Sequence, residues 1–255
     1  MSDLIVFKVA NNRYALDIEN IQRIIQSKEL TEIPNAHPYI DGMMSYEKRI
    51  LKVLNFRRLT GLKSYDEELK GTFAVLKEQH KSWVESLLES VEHGTTFTKT
   101  TDPHKCDLGK WLDGFNSYND HVSAILKDLN EHHKHLHVSG GDALKSYESG
   151  EKAEALRIVK SEVYDTYNRT MGDVTTLMNE FNVVADSLQK LIIYEKEGNA
   201  FAIKVDSIED IAHVDDSKIM LAGHDEKSKE YLDIKGVLDI NGQLINVIES
   251  VKLPK

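Results

Sequence analysis

Apolar residues alternate with polar ones at both ends of this 255-residue chain and recur at helical spacing in its middle. Residues 4–24 read LIVFKVANNRYALDIENIQRI and residues 191–211 read LIIYEKEGNAFAIKVDSIEDI. The two align without a gap. Leu4, Val6, Phe7, Tyr14, Leu16, Ile18, Ile21 and Ile24 fall on Leu191, Ile193, Tyr194, Phe201, Ile203, Val205, Ile208 and Ile211. In each, an apolar run, a polar turn (NNR or GNA) and a period-2 alternation predict a hairpin with one buried face. A second pair follows: YIDGMMSYEKRILKVLNF (39–56) parallels DIKGVLDINGQLINVIES (233–250), setting Gly42, Ile50 and Val53 on Gly236, Leu244 and Val247. Asn241-Gly242 suits a tight hairpin turn. Each end is therefore expected to be a β-rich unit of about 60 residues, small for independent stability and plausible as one of a packed pair.

Between about Tyr65 and Leu188 the period changes. Phe73, Leu76, Trp83, Leu87 and Val91, then Val163, Tyr167, Met171, Val174 and Met178, are spaced for one face of a helix. Long helices are predicted near 66–98 and 151–187, a fourth at about 118–138, and a shorter one carrying Trp111. SGGD (139–142) and ESGEKAE (148–154) read as breaks. Four such helices with short links suggest an antiparallel bundle, and the β repeat resumes only after it. The expected fold is α+β, with β segments at 1–64 and 188–255 and a helical insertion at 65–187.

Composition narrows the function. The formal charge of −10 disfavours a nucleic-acid partner. No stretch approaches the roughly 18 apolar residues of a membrane span. The N-terminus lacks the basic start and apolar run of a signal peptide, and a lone cysteine, Cys106, suits a reducing, cytoplasmic setting. GTTFTKT (94–100) has the wrong order for a phosphate loop. The charge runs DEELK (66–70) and HDEKSKE (224–230) are read as solvated surface.

Eight of the eleven histidines, namely His80, His93, His104, His121, His132, His133, His135 and His137, lie between positions 80 and 137. His133 and His137 are four apart, so a helix projects both from one face. His80 lies one turn before Trp83 and can point into the bundle, and Cys106 precedes the short helix as a possible thiolate. Three nitrogens and a sulfur suit tetrahedral zinc, with bonds of about 2.0–2.1 Å to nitrogen and about 2.3 Å to sulfur. A pH-responsive histidine patch and a structural buried cysteine are the competing readings.

HKSW (80–83), CDLGKW (106–111) and HKHLH (133–137) together resemble the chemoreceptor zinc-binding (CZB) domain family, known by His-x-x-aromatic, Cys-x-apolar-Gly-x-aromatic and His-x-x-x-His. The resemblance covers roughly residues 70–185 and implies zinc on His80, Cys106, His133 and His137. It leaves His104, His121, His132 and His135 outside, with His132 the nearest rival to His133. The β segments, with EIPNAHPYIDGMM (32–44), resemble the CheW-like domain, an adaptor between chemoreceptors and a histidine kinase. Pro34, Pro38, Tyr39, Ile40 and Gly42 carry that likeness, over about 1–64 and 188–252. It implies two five-stranded β-barrels, interrupted here by the zinc-binding bundle. Where that family continues with Asn-Leu-Arg-Gly this chain has Ser45-Tyr46-Glu47-Lys48, so Glu47 reverses the charge of an arginine associated with adaptor contacts.

These readings make the chain a cytoplasmic, non-enzymatic signalling adaptor of the chemotaxis type. Its zinc site would sense zinc or oxidants through Cys106, the oxidisable ligand, and modulate binding to a kinase or chemoreceptor. A homodimer is compatible with the long amphipathic helices. Two alternatives are a zinc-dependent hydrolase, for which Glu131 beside His132 is the candidate base, and a zinc store using the surplus histidines.

Overall fold

The computed structural model describes residues 2–117, 119–221 and 228–254, without the side chains of Ser228 and Lys229. Part of the HDEKSKE run, including His224, lies outside the described residues. The chain divides into two compact units: residues 1–65 with 185–255, and residues 66–184.

In the first unit the N-terminal strands are β1 (Ser2–Val9), β2 (Asn12–Asp17), β3 (Ile21–Gln26), β4 (Ile40–Tyr46) and β5 (Arg49–Asn55), followed by the single turn α1 (Phe56–Leu59). After the helical insertion come β6 (Lys190–Lys196), β7 (Asn199–Val205), β8 (Ser207–Val214), the short β9 (Met220–Leu221) and β10 (Ser228–Lys229), then β11 (Leu232–Ile240) and β12 (Gln243–Val251). The aligned segments thus become corresponding elements: β1–β2–β3 answers to β6–β7–β8, and the β4–β5 hairpin to β11–β12.

The two ends do not make one sheet each. One sheet runs β10–β11–β12–β2–β1–β8, with β9 also on β11, and the other runs β3–β6–β7–β5–β4. Each joins the first hairpin of one half to the second hairpin of the other through a parallel contact, β2 on β12 and β7 on β5. The third strand crosses too: β8 pairs with β1, and β3 with β6. Backbone pairing among the described residues closes neither sheet into a ring.

This exchange explains the apolar runs that alternation alone does not. Leu191 and Ile193 enter a cluster with Met44, Leu51, Val53 and Ala202, whereas Ile192 and Tyr194 enter one with Phe7, Leu16, Phe56 and Phe201. Both faces of β6 are therefore buried, and period-2 alternation gives way to a continuous LIIY. Asn241 and Gly242 both have positive φ, +54° and +80°, as the two-residue β11–β12 turn requires. The two repeat hairpins turn one to two residues earlier than NNR and GNA suggest, at Ala10–Asn11 and Glu197–Gly198.

The second unit is helical. It contains α2 (Tyr65–His93), which begins at its boundary, α3 (Asp107–Gly114), α4 (Asp120–Glu148), and a helical run comprising α5 (Lys152–Ile158), a π-turn (Val159–Val163) and α6 (Tyr164–Asn179); α7 (Phe181–Leu188) continues past the unit's end. Two sequence expectations are corrected. The 151–187 helix is segmented, with Glu180 at φ −100° separating α6 from α7. SGGD is no break, because α4 runs straight through it. Gly140 is there for packing: a Cβ on it would lie 2.2 Å from Trp83 Cη2 and 3.2 Å from Leu87 Cδ2. The missing side chain lets α4 seat the indole of α2, which also packs with Val84, Leu87, Leu136, Ala143 and Val159.

Helix propensity alone would make Gly140→Ala stabilising by about 1 kcal/mol. The contact with Trp83 reverses the sign, and a net loss of about 1–2 kcal/mol in urea unfolding is expected. A stabilised Gly140→Ala protein would refute this packing.

Candidate metal centre

Two helices and the N-cap of a third bring the four residues together. Leu76, Trp83, Val84 and Leu87 bury one face of α2, and His80 lies on that face at 3% exposure. On α4, Leu129, His133, Leu136 and His137 are buried while Glu131, Lys134 and His135 are exposed. The i, i+4 pair therefore enters the interior with its apolar neighbours. Cys106 is the N-cap of α3: its Sγ accepts the Gly109 N–H at 3.2 Å. A Cβ at Gly109 would fall 1.7 Å from the Pro103 carbonyl oxygen. The glycine of CDLGKW is thus what lets the 103–109 turn close tightly enough to place the sulfur.

One donor atom from each of His80, Cys106, His133 and His137 lies within 4.8 Å of all the others. Cys106 Sγ is 3.1 Å from His133 Nε2 and 3.8 Å from His80 Nε2. Tetrahedral edges built from ordinary Zn–N and Zn–S bonds are roughly 3.3–3.6 Å, so the spacing suits a single ion. His80 Nδ1 donates to the Leu76 carbonyl at 2.8 Å, which turns Nε2 inward as a lone-pair donor. Both ring nitrogens of His137 are buried without a hydrogen-bond partner in the protein. The Thr100 carbonyl lies close enough to favour its protonation slightly. That carbonyl already accepts Trp83 Nε1 at 2.8 Å, and no hydrogen-bond geometry with His137 is met. A fully buried imidazole left this way costs about 1–3 kcal/mol unless something else takes its lone pair.

Burial also sets the protonation states of the metal-free site. It lowers His133 to about 3, with His137 and His80 adding repulsion, and lowers His137 to about 4, with His80 adding. His80 is lowered by burial as well. The Cys106 thiol is raised by burial, opposed by the Gly109 and Leu108 amides. Neutral imidazoles are ready ligands, whereas the sulfur must give up a proton to become one. The donor set and its geometry therefore fit a zinc ion.

The remaining histidines go elsewhere. His132 Nδ1 meets Asp173 Oδ2 at 2.6 Å, His104 Nδ1 meets the Asp113 carboxylate at 3.0 Å, and His121 Nε2 lies 3.6 Å from Glu180. Register on α4 puts His133 on the apolar face within the cluster and turns His132 toward Asp173. Glu131 is exposed and outside the cluster. Beside the cluster a cleft of about 720 Å³ is lined by Ala74, Val75, Trp83, Lys99, His80 and Cys106, among others. The sequence had no signal for that cleft, because it joins α2 to the loop before α3.

The family model of the CheW-like domain matches residues 3–97, and that of the chemoreceptor zinc-binding domain matches residues 80–144. The first range runs past β5 into α2, and neither reaches the C-terminal β segment. The chain is 26% identical over 75 residues to chemotaxis protein CheW of Thermotoga maritima, a match covering 29% of this chain and 49% of that protein. It thus spans about half the length of that curated relative. A solved structure, scaffolding protein TtCheW from Thermoanaerobacter tengcongensis, superposes with a TM-score of 0.45 at 11% identity, covering 97% of this chain and 88% of that one. The chain is thus similar to a CheW-like domain over one segment and to a chemoreceptor zinc-binding domain over another, and its four clustered donors suit zinc as the metal cofactor.

Lowered histidine values fix the sign of the acid response. The unfolded chain protonates these rings near pH 6.5, and the folded metal-free protein resists. Stability therefore falls as pH drops from about 6.5 toward 4, by about 1.4 kcal/mol per pH unit for each of His133 and His137, with His80 acting in the same direction. Urea midpoints of metal-free protein at pH 7.5 and 5.5 should show the loss, and His137→Leu should reduce the slope. A flat profile would mean the rings are not buried in the neutral form.

Proposed function

We propose that this chain, a CheW-like domain carrying an inserted chemoreceptor zinc-binding domain, is a cytoplasmic, non-enzymatic signalling adaptor. Its zinc ion is held by His80, Cys106, His133 and His137. The helical unit, set by sequence at residues 65–187, is the sensing part, and the β segments 1–64 and 188–255 form the docking part. The observation that carries the reading is the convergence of three buried imidazoles and one half-buried sulfur on one place, with His137 otherwise unpartnered.

When bound, zinc supplies a fixed positive centre that draws three helices together and holds Cys106 as the thiolate. Four protein donors leave no open position for a substrate water, and Glu131 is exposed, so hydrolysis is disfavoured. Storage is disfavoured because His132, His104 and His121 face carboxylates, and no second cluster of histidine and cysteine donors occurs among the described residues. No helix among the described residues is long and apolar enough to cross a membrane.

Cys106 is the one donor of the four that is only half-buried, and it opens on the 720 Å³ cleft. A peroxide can reach it there. The sulfur attacks one peroxide oxygen, an S–O bond forms as the O–O bond breaks, and hydroxide leaves. The sulfur is oxidised by two electrons and the peroxide reduced. The product sulfenic acid is a poorer ligand, so the three imidazoles lose their fourth partner and the helices are free to shift.

The partners that fit the CheW-like part are a chemotaxis histidine kinase and a chemoreceptor; a homodimer is also compatible with the helical unit. Glu47 sits with Lys48 at the β4–β5 turn, both with positive φ, and Arg23 Nη1 lies 4.0 Å from its carboxylate. That local cation offsets part of the reversed charge, leaving a contact face different from one built around arginine.

Affinity for a purified chemotaxis kinase and for a chemoreceptor cytoplasmic fragment should differ at least about fivefold among zinc-loaded, zinc-free and peroxide-treated protein. Cys106→Ala should abolish the peroxide response. Equal affinity in all three states would reduce zinc to a staple, and no binding to either partner would end the adaptor reading.

A further inference from the structure

The chain leaves the β unit at Tyr65 and returns to it at Ala185, and the residues beside both crossings are fastened to one carboxylate. We propose that Asp206 is a clasp through which a displacement of either crossing reaches the β-sheets. This rests on the reading that the helical unit regulates docking.

Asp206 lies in the tight link between β7 and β8. Its Oδ2 accepts from Arg57 Nη1 at 2.6 Å and from the Ala10 N–H at 2.7 Å, and its Oδ1 accepts from Gln189 Nε2 at 3.0 Å. On the outgoing side Arg57 is 1% exposed, donates through Nε to the Lys63 carbonyl at 3.0 Å, and lies 4.8 Å over the ring of Tyr65, the first residue of α2. On the returning side Gln189 is 2% exposed, and its N–H closes the end of α7 on the Ala185 carbonyl at 3.0 Å. The Gln189 carbonyl accepts from Gln26 Nε2 at 2.8 Å and the Ser27 N–H at 3.1 Å.

The clasp thus bears on both sheets, through the β1–β2 turn at Ala10 and the end of β3 at Gln26 and Ser27. A buried arginine is costly to desolvate and, judged by stability alone, replaceable by apolar packing. What the ionic arrangement adds is direction: a guanidinium and a carboxamide meet one carboxylate in a single geometry. Moving Tyr65 or Ala185 breaks those bonds instead of stretching them, which gives the β unit two discrete arrangements.

Hydrogen exchange on the full chain, with zinc and after chelation, tests this. In the wild type, removing zinc should raise exchange at least about fivefold at residues 8–12 and 26–28. Asp206→Asn should bind zinc like the wild type and lose that response, because exchange there is already raised in the zinc-loaded form. Gln189→Met, which leaves the Arg57–Asp206 pair intact, should lose the response at 26–28, and it decides the matter if Asp206→Asn does not fold. A wild type with no zinc-dependent change in the β unit overturns the regulatory reading and the clasp together. A wild-type response preserved in the folded variants overturns the clasp alone.

Discussion

Three imidazole rings and a sulfur occupy the centre of the helical unit, where apolar side chains would pack at lower cost. Polar groups so placed are tolerated only when their lone pairs are taken. In this protein the Leu76 carbonyl satisfies His80 Nδ1 and the Cys106 sulfur meets His133 Nε2, while neither nitrogen of His137 has a partner in the chain. The neighbouring architecture serves that constraint. Gly109 lets the turn before α3 close and place the sulfur; Gly140 lets α4 approach the indole whose ring centroid lies 4.9 Å from that of His137. Both glycines sit at contacts where a methyl group would push the elements apart.

The β unit obeys a different rule. Neither half of the repeat has a complete sheet, so each lends a hairpin to the other, and the parallel contacts β2–β12 and β5–β7 tie residues from opposite ends of the chain. The unit can close only when both ends are present. An insertion between the halves therefore lies inside its folding problem, unlike a domain appended at a terminus. The Arg57–Asp206–Gln189 arrangement stands at that point in the chain.

Much of this was legible in the sequence. The gapless alignment of 4–24 with 191–211 identified corresponding strands, Asn241-Gly242 marked its turn, and His80, Cys106 and the i, i+4 histidines were the four candidate donors that the fold brings together. What was not legible depends on contacts between distant segments. Gly140-Gly141 reads as a break because glycine weakens a helix, and only the indole of Trp83 explains why α4 continues. The exchange of hairpins leaves no local trace, since alternation reports which faces are buried and not which strand lies alongside. The partnership of Asp206 with Arg57 joins residues 149 apart in sequence.

The most direct measurement is X-ray absorption at the zinc edge on purified full-length protein. It should show a single zinc environment of three nitrogen ligands at about 2.0–2.1 Å and one sulfur at about 2.3 Å, with the sulfur shell absent in Cys106→Ser. An all-nitrogen-and-oxygen shell in the wild type, or a sulfur shell that persists without Cys106, would contradict the account.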